Sequence, residues 1–253
     1  MKSRTLVKFA AVVGLVAAMA TTANAENLNI WQATLGESGQ KTGEVSTEQM
    51  RRIIIDNSAI VLDTRTPAEF EAGHIPGARV LDVSQDTQVG EVLNLVGGDK
   101  IKALVLYCNG PYCQASRRLA DQLAAAGFSN VRRYQLGMPI WRSLGGPTAI
   151  ELGGVKRVFG QDKTAVFIDV RSADEFAKSS LPGAVNTPVE DVLSGKLKKM
   201  ALPEDDFNRR VVLFGRNAMQ ARQFAEVLSK RPWHNIAYFA GAYELLESAV
   251  SKN

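Results

Sequence analysis

Short, continuous apolar runs alternate with helical stretches along most of the chain. Runs of this kind are typical of strands in a parallel sheet that helices cover on both faces. In the first half, the pattern predicts strands at 60–62, 79–81, 103–107 and 131–134, and helices around 46–56, around 67–72 and from about 115. The alternation therefore predicts an α/β fold.

The same pattern occurs twice. Residues 59–70, AIVLDTRTPAEF, recur as residues 165–176, AVFIDVRSADEF, and three further segments recur at nearly the same offset. Because the spacing is kept across four segments, we predict two copies of one unit. We expect the first domain at 26–146 and the second at 147–253.

The beginning of the chain has the pattern of an export signal. Three basic residues precede an apolar run at 9–20, and Ala23-Asn24-Ala25 is a small-residue cleavage site. An uncleaved membrane anchor is the alternative, but the run is short for a bilayer span. We therefore predict a cleavable signal peptide at 1–25 and a mature protein in the periplasm, without stable membrane association.

Charge and composition narrow the choice of partners. The chain has 30 basic and 26 acidic residues, and removing residues 1–25 leaves 27 against 26, a net charge of +1. The charges are well mixed and no basic block occurs, so nucleic acid is not an expected partner. With two histidines, His74 and His234, and two cysteines in one loop, no metal site is expected either.

Cys108 ends a predicted strand, and the turn-forming residues Asn109-Gly110-Pro111 separate it from a predicted helix. Loop amides and a helix N-terminus stabilise a thiolate, and settings of this kind lower the pKa of a cysteine. In a parallel sheet, ligands bind at the carboxyl ends of the strands, where Cys108 falls. We therefore expect an exposed, nucleophilic Cys108.

These residues carry a family resemblance. Residues 63–78 read DTRTPAEFEAGHIPGA, a strand-terminal Cys108 follows, and Gly137 and Trp141 come later. In these motifs the chain resembles the rhodanese (sulfurtransferase) domain, over both units. The resemblance implies two tandem domains, each a parallel five-stranded sheet flanked by helices.

The resemblance also implies an activity. Cys108 would take a sulfane sulfur from a donor such as thiosulfate, hold it as a persulfide, and pass it to cyanide or to a thiol, including a protein thiol. No cofactor is implied. The substrate-binding loop would consist of Asn109, Gly110, Pro111, Tyr112, Cys113 and Gln114.

Two departures from the family pattern matter. Gly215 stands where the second unit would have its cysteine, so that unit is predicted to be degenerate. Cys113 stands where many members have an arginine that holds an anionic donor. Candidate anion contacts are therefore sought elsewhere, at Arg65, Arg117 and Arg118.

These arginines also have ordinary structural interpretations. Arg117 and Arg118 fit a solvated helix face equally well. Asp63 and Arg65 recur as Asp169 and Arg171 in the unit that lacks the cysteine. This repetition favours charge pairing around the strand-to-helix loop over a catalytic role.

Three functions remain open at this point. The first is sulfur transfer through Cys108, with Cys113 as a bystander or a resolving thiol. The second is a thiol–disulfide switch between the two cysteines, which a tight loop in an oxidising compartment permits. The third is a binding module without turnover. A phosphatase of this fold is disfavoured, because it needs an arginine where Gln114 lies.

Overall fold

The computed structural model describes residues 41–195, 202–203 and 205–250. The predicted signal peptide at 1–25 and its cleavage site lie outside the described residues. Within these ranges no helix combines the length and the apolarity that crossing a bilayer requires.

Each half of the chain forms one five-stranded sheet in which the paired strands are parallel. The first sheet, in the order β1-β5-β4-β2-β3, consists of β1 (Gly43–Glu44), β2 (Ile60–Asp63), β3 (Arg79–Val80), β4 (Leu104–Tyr107) and β5 (Val131–Tyr134). The second, in the equivalent order β6-β10-β9-β7-β8, consists of β6 (Ala149–Ile150), β7 (Val166–Asp169), β8 (Val185–Asn186), β9 (Val211–Phe214) and β10 (Ile236–Phe239). The predicted fold class is confirmed.

Helices flank both sheets. Those of the first half are α1 (Thr47–Asp56), α2 (Pro67–Ala72), α3 (Gln88–Leu95), α4 (Gln114–Ala125) and α5 (Gly137–Ser143). Those of the second half are α6 (Leu152–Gln161), α7 (Ala173–Lys178), α8 (Val189–Leu193), α9 (Ala218–Leu228) and α10 (Tyr243–Val250). The sequence pattern predicted α1, α2 and α4 to within a residue, but it did not predict α3 or the two-residue strand β1.

The central strands explain why the apolar runs are continuous. All four residues of β4 are buried, and so are all four of β9. Val105 and Tyr107 belong to the core cluster on one face of the first sheet, whereas Leu104 and Leu106 belong to the cluster on the other. Because successive side chains of a strand point to opposite faces, a strand covered on both sides must be apolar at every position.

Short helices after β2 and β7 begin in the same way. Thr66 caps α2 and Ser172 caps α7, each in a capping box with the glutamate three residues on, Glu69 or Glu175. These reciprocal hydrogen bonds satisfy amide groups that a helix start otherwise leaves unpaired. The chain direction after each strand is thereby fixed by local sequence.

The two halves contact each other through α2 and α6. His74 and Ala149 exchange backbone hydrogen bonds of 2.9 Å, and the Arg157 guanidinium donates to the Glu71 carboxylate at 2.8 Å. Gly154 lies against the backbone oxygen of Glu71, so a side chain there would collide with α2. A glycine in α6 therefore permits the close approach of the two helices.

Candidate functional site

Cys108 follows β4 directly, at the carboxyl edge of the first sheet. Its carbonyl oxygen accepts a hydrogen bond of 3.0 Å from the backbone N–H of Met138. Gly137 makes this contact possible, because it has φ +62° and a Cβ there would collide with the Cys108 oxygen and the Gly110 nitrogen. The start of α5 therefore holds the first residues of the loop.

The two cysteines form a disulfide, with their Cα atoms 6.1 Å apart. The separation lies within the range that a disulfide requires. Cys108 is only 3% exposed in this state, whereas Cys113 is half-buried. The pairing considered from the sequence is thus present. The expectation of an exposed Cys108 is wrong, because its sulfur is bonded to Cys113 and the start of α5 lies against its backbone.

The rest of the loop is open to solvent at its tip. Tyr112 is 89% exposed, and Asn109 is exposed while its side-chain amide donates to Glu69 at 2.6 Å. The N–H of Cys113 donates to the Gly110 oxygen at 3.0 Å. Within the described part of the chain, the backbone N–H groups of Asn109, Gly110 and Tyr112 make no hydrogen bond, and Pro111 has no N–H. Three loop amides are therefore left for a ligand or for water.

Helix α4 begins immediately after the loop. Cys113 is its N-cap residue in extended backbone geometry and makes no side-chain capping bond, and Gln114, the first helical residue, is exposed. The first turn of α4 contains no acidic residue. The positive end of the helix dipole is therefore not neutralised locally, and it stabilises negative charge on the sulfurs beside it.

A buried polar network lies beneath the loop. Two guanidinium nitrogens of Arg65 donate to the Asp63 carboxylate, at 2.9 and 2.5 Å, and Nη2 also donates to the Gly73 oxygen at 2.8 Å. The Tyr107 hydroxyl donates to Asp63 at 2.6 Å and accepts from the Ile75 N–H at 3.1 Å. The charge pairing predicted for Asp63 and Arg65 is confirmed.

The electrostatics of this network raise the pKa values of Tyr107 and Arg65. Burial, reinforced by the Asp63 carboxylate, raises the pKa of Tyr107 well above its ordinary value, so the phenol remains a donor. Burial by itself lowers the pKa of Arg65, but the hydrogen bond and charge of Asp63 outweigh it and raise that pKa. Neither the Tyr107 phenol nor the Arg65 guanidinium therefore changes charge near neutral pH.

Two of the three candidate anion contacts line the same cleft. Arg65 and Arg118 line one cleft of about 360 Å³, together with Gln88 of α3 and Ala115 in the first turn of α4. Arg117 instead lines a neighbouring depression of about 450 Å³, which it shares with Arg118. In the disulfide form, Cys108 is not among the residues that line the first cleft.

Arg118 is the arginine with an unsatisfied donor in that cleft. Its Nε is buried and has no hydrogen-bond partner, and neither has the Oε1 atom of Gln88, a residue only 7% exposed. Buried polar atoms are normally paired, so an orphaned donor beside an open cleft indicates a place for a ligand or water. The involvement of Gln88 was not predicted, because α3 itself was not.

The second unit is crowded at the position that corresponds to Cys108. Gly215 follows β9, and a Cβ there would lie 2.9 Å from the Gln220 side-chain oxygen and 3.0 Å from Val170. That Gln220 oxygen accepts from the Arg216 N–H at 2.8 Å. Only three residues, 215–217, connect β9 to α9, against six, 108–113, between β4 and α4. The Gln220 side chain of α9 therefore lies close to the position at which the first unit has its cysteine.

Comparison with known proteins gives the family. A model of the rhodanese-like domain matches the chain twice, at 46–144 and 155–249. Thiosulfate sulfurtransferase GlpE of Pseudomonas putida is 31% identical over 99 residues, which cover 39% of this chain and 84% of that protein. The HTH-type transcriptional regulator Rv0324 of Mycobacterium tuberculosis is 33% identical over 87 residues, 34% of this chain and 36% of that protein.

A solved structure is similar over a longer stretch. The thiosulfate sulfurtransferase of Pseudomonas aeruginosa aligns over 82% of this chain and 42% of its own, at 17% identity and a TM-score of 0.38. The two matches to the family model together cover most of the chain. The chain belongs to the rhodanese-like domain family and contains two copies of that domain in tandem.

Proposed function

We propose that the protein is a periplasmic sulfurtransferase that carries a sulfane sulfur as a persulfide on Cys108. The observation that supports this most directly is the position of Cys108, between the carboxyl end of β4 and the N-terminus of α4, in a loop with three unpaired amides. Relatives named thiosulfate sulfurtransferases support the reaction class. The predicted signal peptide supports the compartment.

The chemistry begins with the reduced loop. The Cys108 thiolate attacks the outer sulfur of thiosulfate, the sulfur–sulfur bond of the donor breaks, and sulfite leaves with the bonding electrons. An acceptor nucleophile, cyanide or a thiolate, then attacks the terminal sulfur of the persulfide and restores the Cys108 thiolate. The peptide N–H groups of Asn109, Gly110 and Tyr112 supply hydrogen bonds to the charged sulfur. No step requires a metal or an organic cofactor.

Arg118 is the best candidate for holding an anionic donor. Its Nε lacks a partner, whereas Nε and Nη2 of Arg65 already serve Asp63 and Gly73. The oxygen atoms of thiosulfate accept hydrogen bonds of this kind. Arg118 would therefore take the role of the arginine that Cys113 replaces.

The disulfide supports a second candidate function, a thiol–disulfide switch between Cys108 and Cys113. In this alternative, the pair exchanges electrons with other dithiols and never carries an added sulfur. The two candidates predict different covalent products.

Intact-protein mass spectrometry distinguishes them. The reduced wild-type chain, Cys108→Ser and Cys113→Ser are exposed to thiosulfate, and thiocyanate formation from thiosulfate and cyanide is measured in parallel. The expected result is one added sulfur on Cys113→Ser, none on Cys108→Ser, and formation of thiocyanate. The opposite result is a loss of two hydrogens from the wild-type chain alone, with no added sulfur on Cys113→Ser. It contradicts sulfur transfer and supports the switch. No change in any sample contradicts both and supports a binding module.

A further inference from the structure

We propose that Cys113 is the resolving thiol of the sulfur-transfer cycle. In this cycle it attacks the Cys108 persulfide, releases the carried sulfur as hydrosulfide, and leaves the Cys108–Cys113 disulfide for an external dithiol to reduce. The proposal rests on the proposed function and deepens it. It makes an internal thiol, rather than a diffusible one, the group that displaces the carried sulfur from Cys108.

The reach of Cys113 is the first observation. The two sulfurs bond while both ends of the loop keep their hydrogen bonds, from Met138 N–H to the Cys108 oxygen and from Cys113 N–H to the Gly110 oxygen, each 3.0 Å. The disulfide is therefore compatible with the hydrogen bonds that hold the loop between the flanking strand and helix. A nucleophile held this close has a large entropic advantage over any free thiol.

The second observation is the chemistry of the helix cap. Cys113 occupies the N-cap of α4 without making a capping bond, whereas Asn217 at the equivalent start of α9 accepts from the Gln220 N–H at 3.0 Å. Asparagine, serine and similar residues are the preferred caps, so the first unit lacks a stabilising contact that the second one has. The thiol at this position instead lies at the positive end of the helix dipole, which stabilises its thiolate form.

The third observation is the unequal exposure of the two sulfur-bearing residues. Cys108 is 3% exposed, whereas Cys113 is half-buried beside the exposed Tyr112. An external dithiol therefore meets the Cys113 sulfur first. Its attack there gives a mixed disulfide on Cys113 and frees the Cys108 thiolate, the group that accepts the next sulfur.

The steps balance in atoms and electrons. The Cys113 thiolate attacks the inner sulfur of the protonated persulfide, forming the Cys108–Cys113 bond, and hydrosulfide leaves with the electron pair of the broken sulfur–sulfur bond. The sulfane sulfur is thereby reduced and the two cysteines are oxidised. The two electrons are restored by the external dithiol, which becomes a disulfide.

The test compares reduced wild-type protein with Cys113→Ser, because serine is a favoured N-cap residue and keeps α4 intact. Both are freed of reductant without oxygen, loaded with thiosulfate, desalted, and followed by intact mass and by a hydrosulfide assay. Wild-type chains should lose the added sulfur, end two hydrogens lighter than the reduced protein, and release one hydrosulfide for each persulfide. Cys113→Ser should keep its persulfide at least on the order of a hundredfold longer. Wild-type protein without thiosulfate, which should stay reduced, is the control for adventitious oxidation.

The outcomes separate the inference from the function on which it rests. If both proteins load sulfur and lose it at the same rate, Cys113 is not the resolving thiol, and the proposed sulfur transfer stands. If neither protein takes up sulfur, the proposed function fails and this inference fails with it. In a further outcome, only Cys113→Ser retains an added sulfur, and the wild-type protein is found directly as the disulfide, with hydrosulfide released. This result supports the inference, because Cys113 then attacks the persulfide as soon as it forms.

The order of reduction has its own measurement. The oxidised wild-type protein is treated with glutathione in the presence of iodoacetamide, and its peptides are analysed by mass spectrometry. We expect glutathione on Cys113 and the alkyl group on Cys108. The reverse labelling would overturn the proposed direction of reduction.

Discussion

The two units have the same buried ion pair at the ends of β2 and β7 but differ in the loop after their central strands. Asp63 and Arg65 pair in the first unit, and Asp169 and Arg171 pair in the second with the same hydrogen bonds. In each, the guanidinium also reaches the backbone oxygen eight residues on. Because the pair persists where no cysteine exists, its presence does not depend on the chemistry of the cysteine loop.

The partners around the pair show how the same support is built from different residues. In the first unit the third side-chain donor to the aspartate is the Tyr107 hydroxyl, whereas in the second it is the Ser180 hydroxyl, at 2.7 Å. The guanidinium of Arg171 also lies 3.4 Å from the centre of the Tyr243 ring. Buried charges need their hydrogen-bonding capacity filled, but several donors can fill it.

The loop after the central strand gives the sharpest test of this comparison. Cys108→Ser should lower thiocyanate formation at least on the order of a thousandfold, because it removes the proposed nucleophile. Gly215→Cys in the same background should not restore activity, because Gln220 and Val170 occupy the space at position 215 and the turn is three residues shorter. Activity from the Gly215→Cys chain would show that the turn accommodates a reactive thiol after all.

The shared ion pair should matter equally in both units. Asp63→Asn and Asp169→Asn should each lower the free energy of unfolding by about 3–5 kcal/mol, because each leaves a buried guanidinium without its counter-charge. Urea denaturation followed by intrinsic fluorescence measures the loss. Asp174→Asn, at an exposed position of α7, is the matched control and should change stability by less than about 0.5 kcal/mol. A loss confined to one unit would contradict the structural equivalence.

His74 should make the stability of the first unit depend on pH. The second unit has Ser180 at the equivalent position, so it lacks this histidine contribution. Burial lowers the pKa of His74 below its ordinary 6.5, outweighing the hydrogen bond with the Phe70 oxygen. The unfolded chain therefore binds this proton at a higher pH than the folded chain does. The stabilisation is full above pH 6.5 and is lost as the pH falls through the folded-state value.

Urea denaturation at a series of pH values measures this effect. The free energy of unfolding of the wild-type chain should fall on acidification below pH 6.5, and His74→Gln should remove that part of the slope. His234→Gln, at an exposed position, is the control and should keep it. An unchanged slope in His74→Gln would show that another group is responsible.

The smallest expected difference between the two units is in the pKa values of their capping-box glutamates, Glu69 and Glu175. Hydrogen bonds from Arg216 lower the pKa of Glu175 from 4.5 to about 2. Burial works against ionisation of Glu69, but hydrogen bonds from Thr66 and Asn109 outweigh it and also lower its pKa. The stabilisation from Glu175 is present above pH 4.5 and is lost as the pH falls through about 2.

Carboxylate titration by NMR checks both glutamates. Arg216→Ala should raise the pKa of Glu175 toward 4.5, and Asn109→Ala should raise that of Glu69 by less, because it removes a neutral donor. A larger shift in Asn109→Ala would reverse the proposed order of the two contacts.

The parts of the site that lie close together in sequence were predictable. Arg65 follows Asp63 by two positions, and Cys113 follows Cys108 by five, so local geometry limits how far apart these pairs can be. The contacts of Cys108 with Met138, and of Arg118 with the cleft beside Gln88, were not predictable. They depend on how α5 and α3 pack on the sheet, and no local pattern encodes that arrangement.

By itself, the sequence determined the α/β class, the duplication, the position of the cysteines and the loss of the thiol in the second unit. These features follow from the periodicity of apolar residues and from residue identity. Only the tertiary structure decided that Cys108 is buried, that Gln220 fills the equivalent space at Gly215, and that Arg118 rather than Arg117 shares a cleft with Arg65. The burial of a residue and the lining of a cleft depend on side chains that are distant in sequence. They are therefore determined only when the helices pack against the sheet.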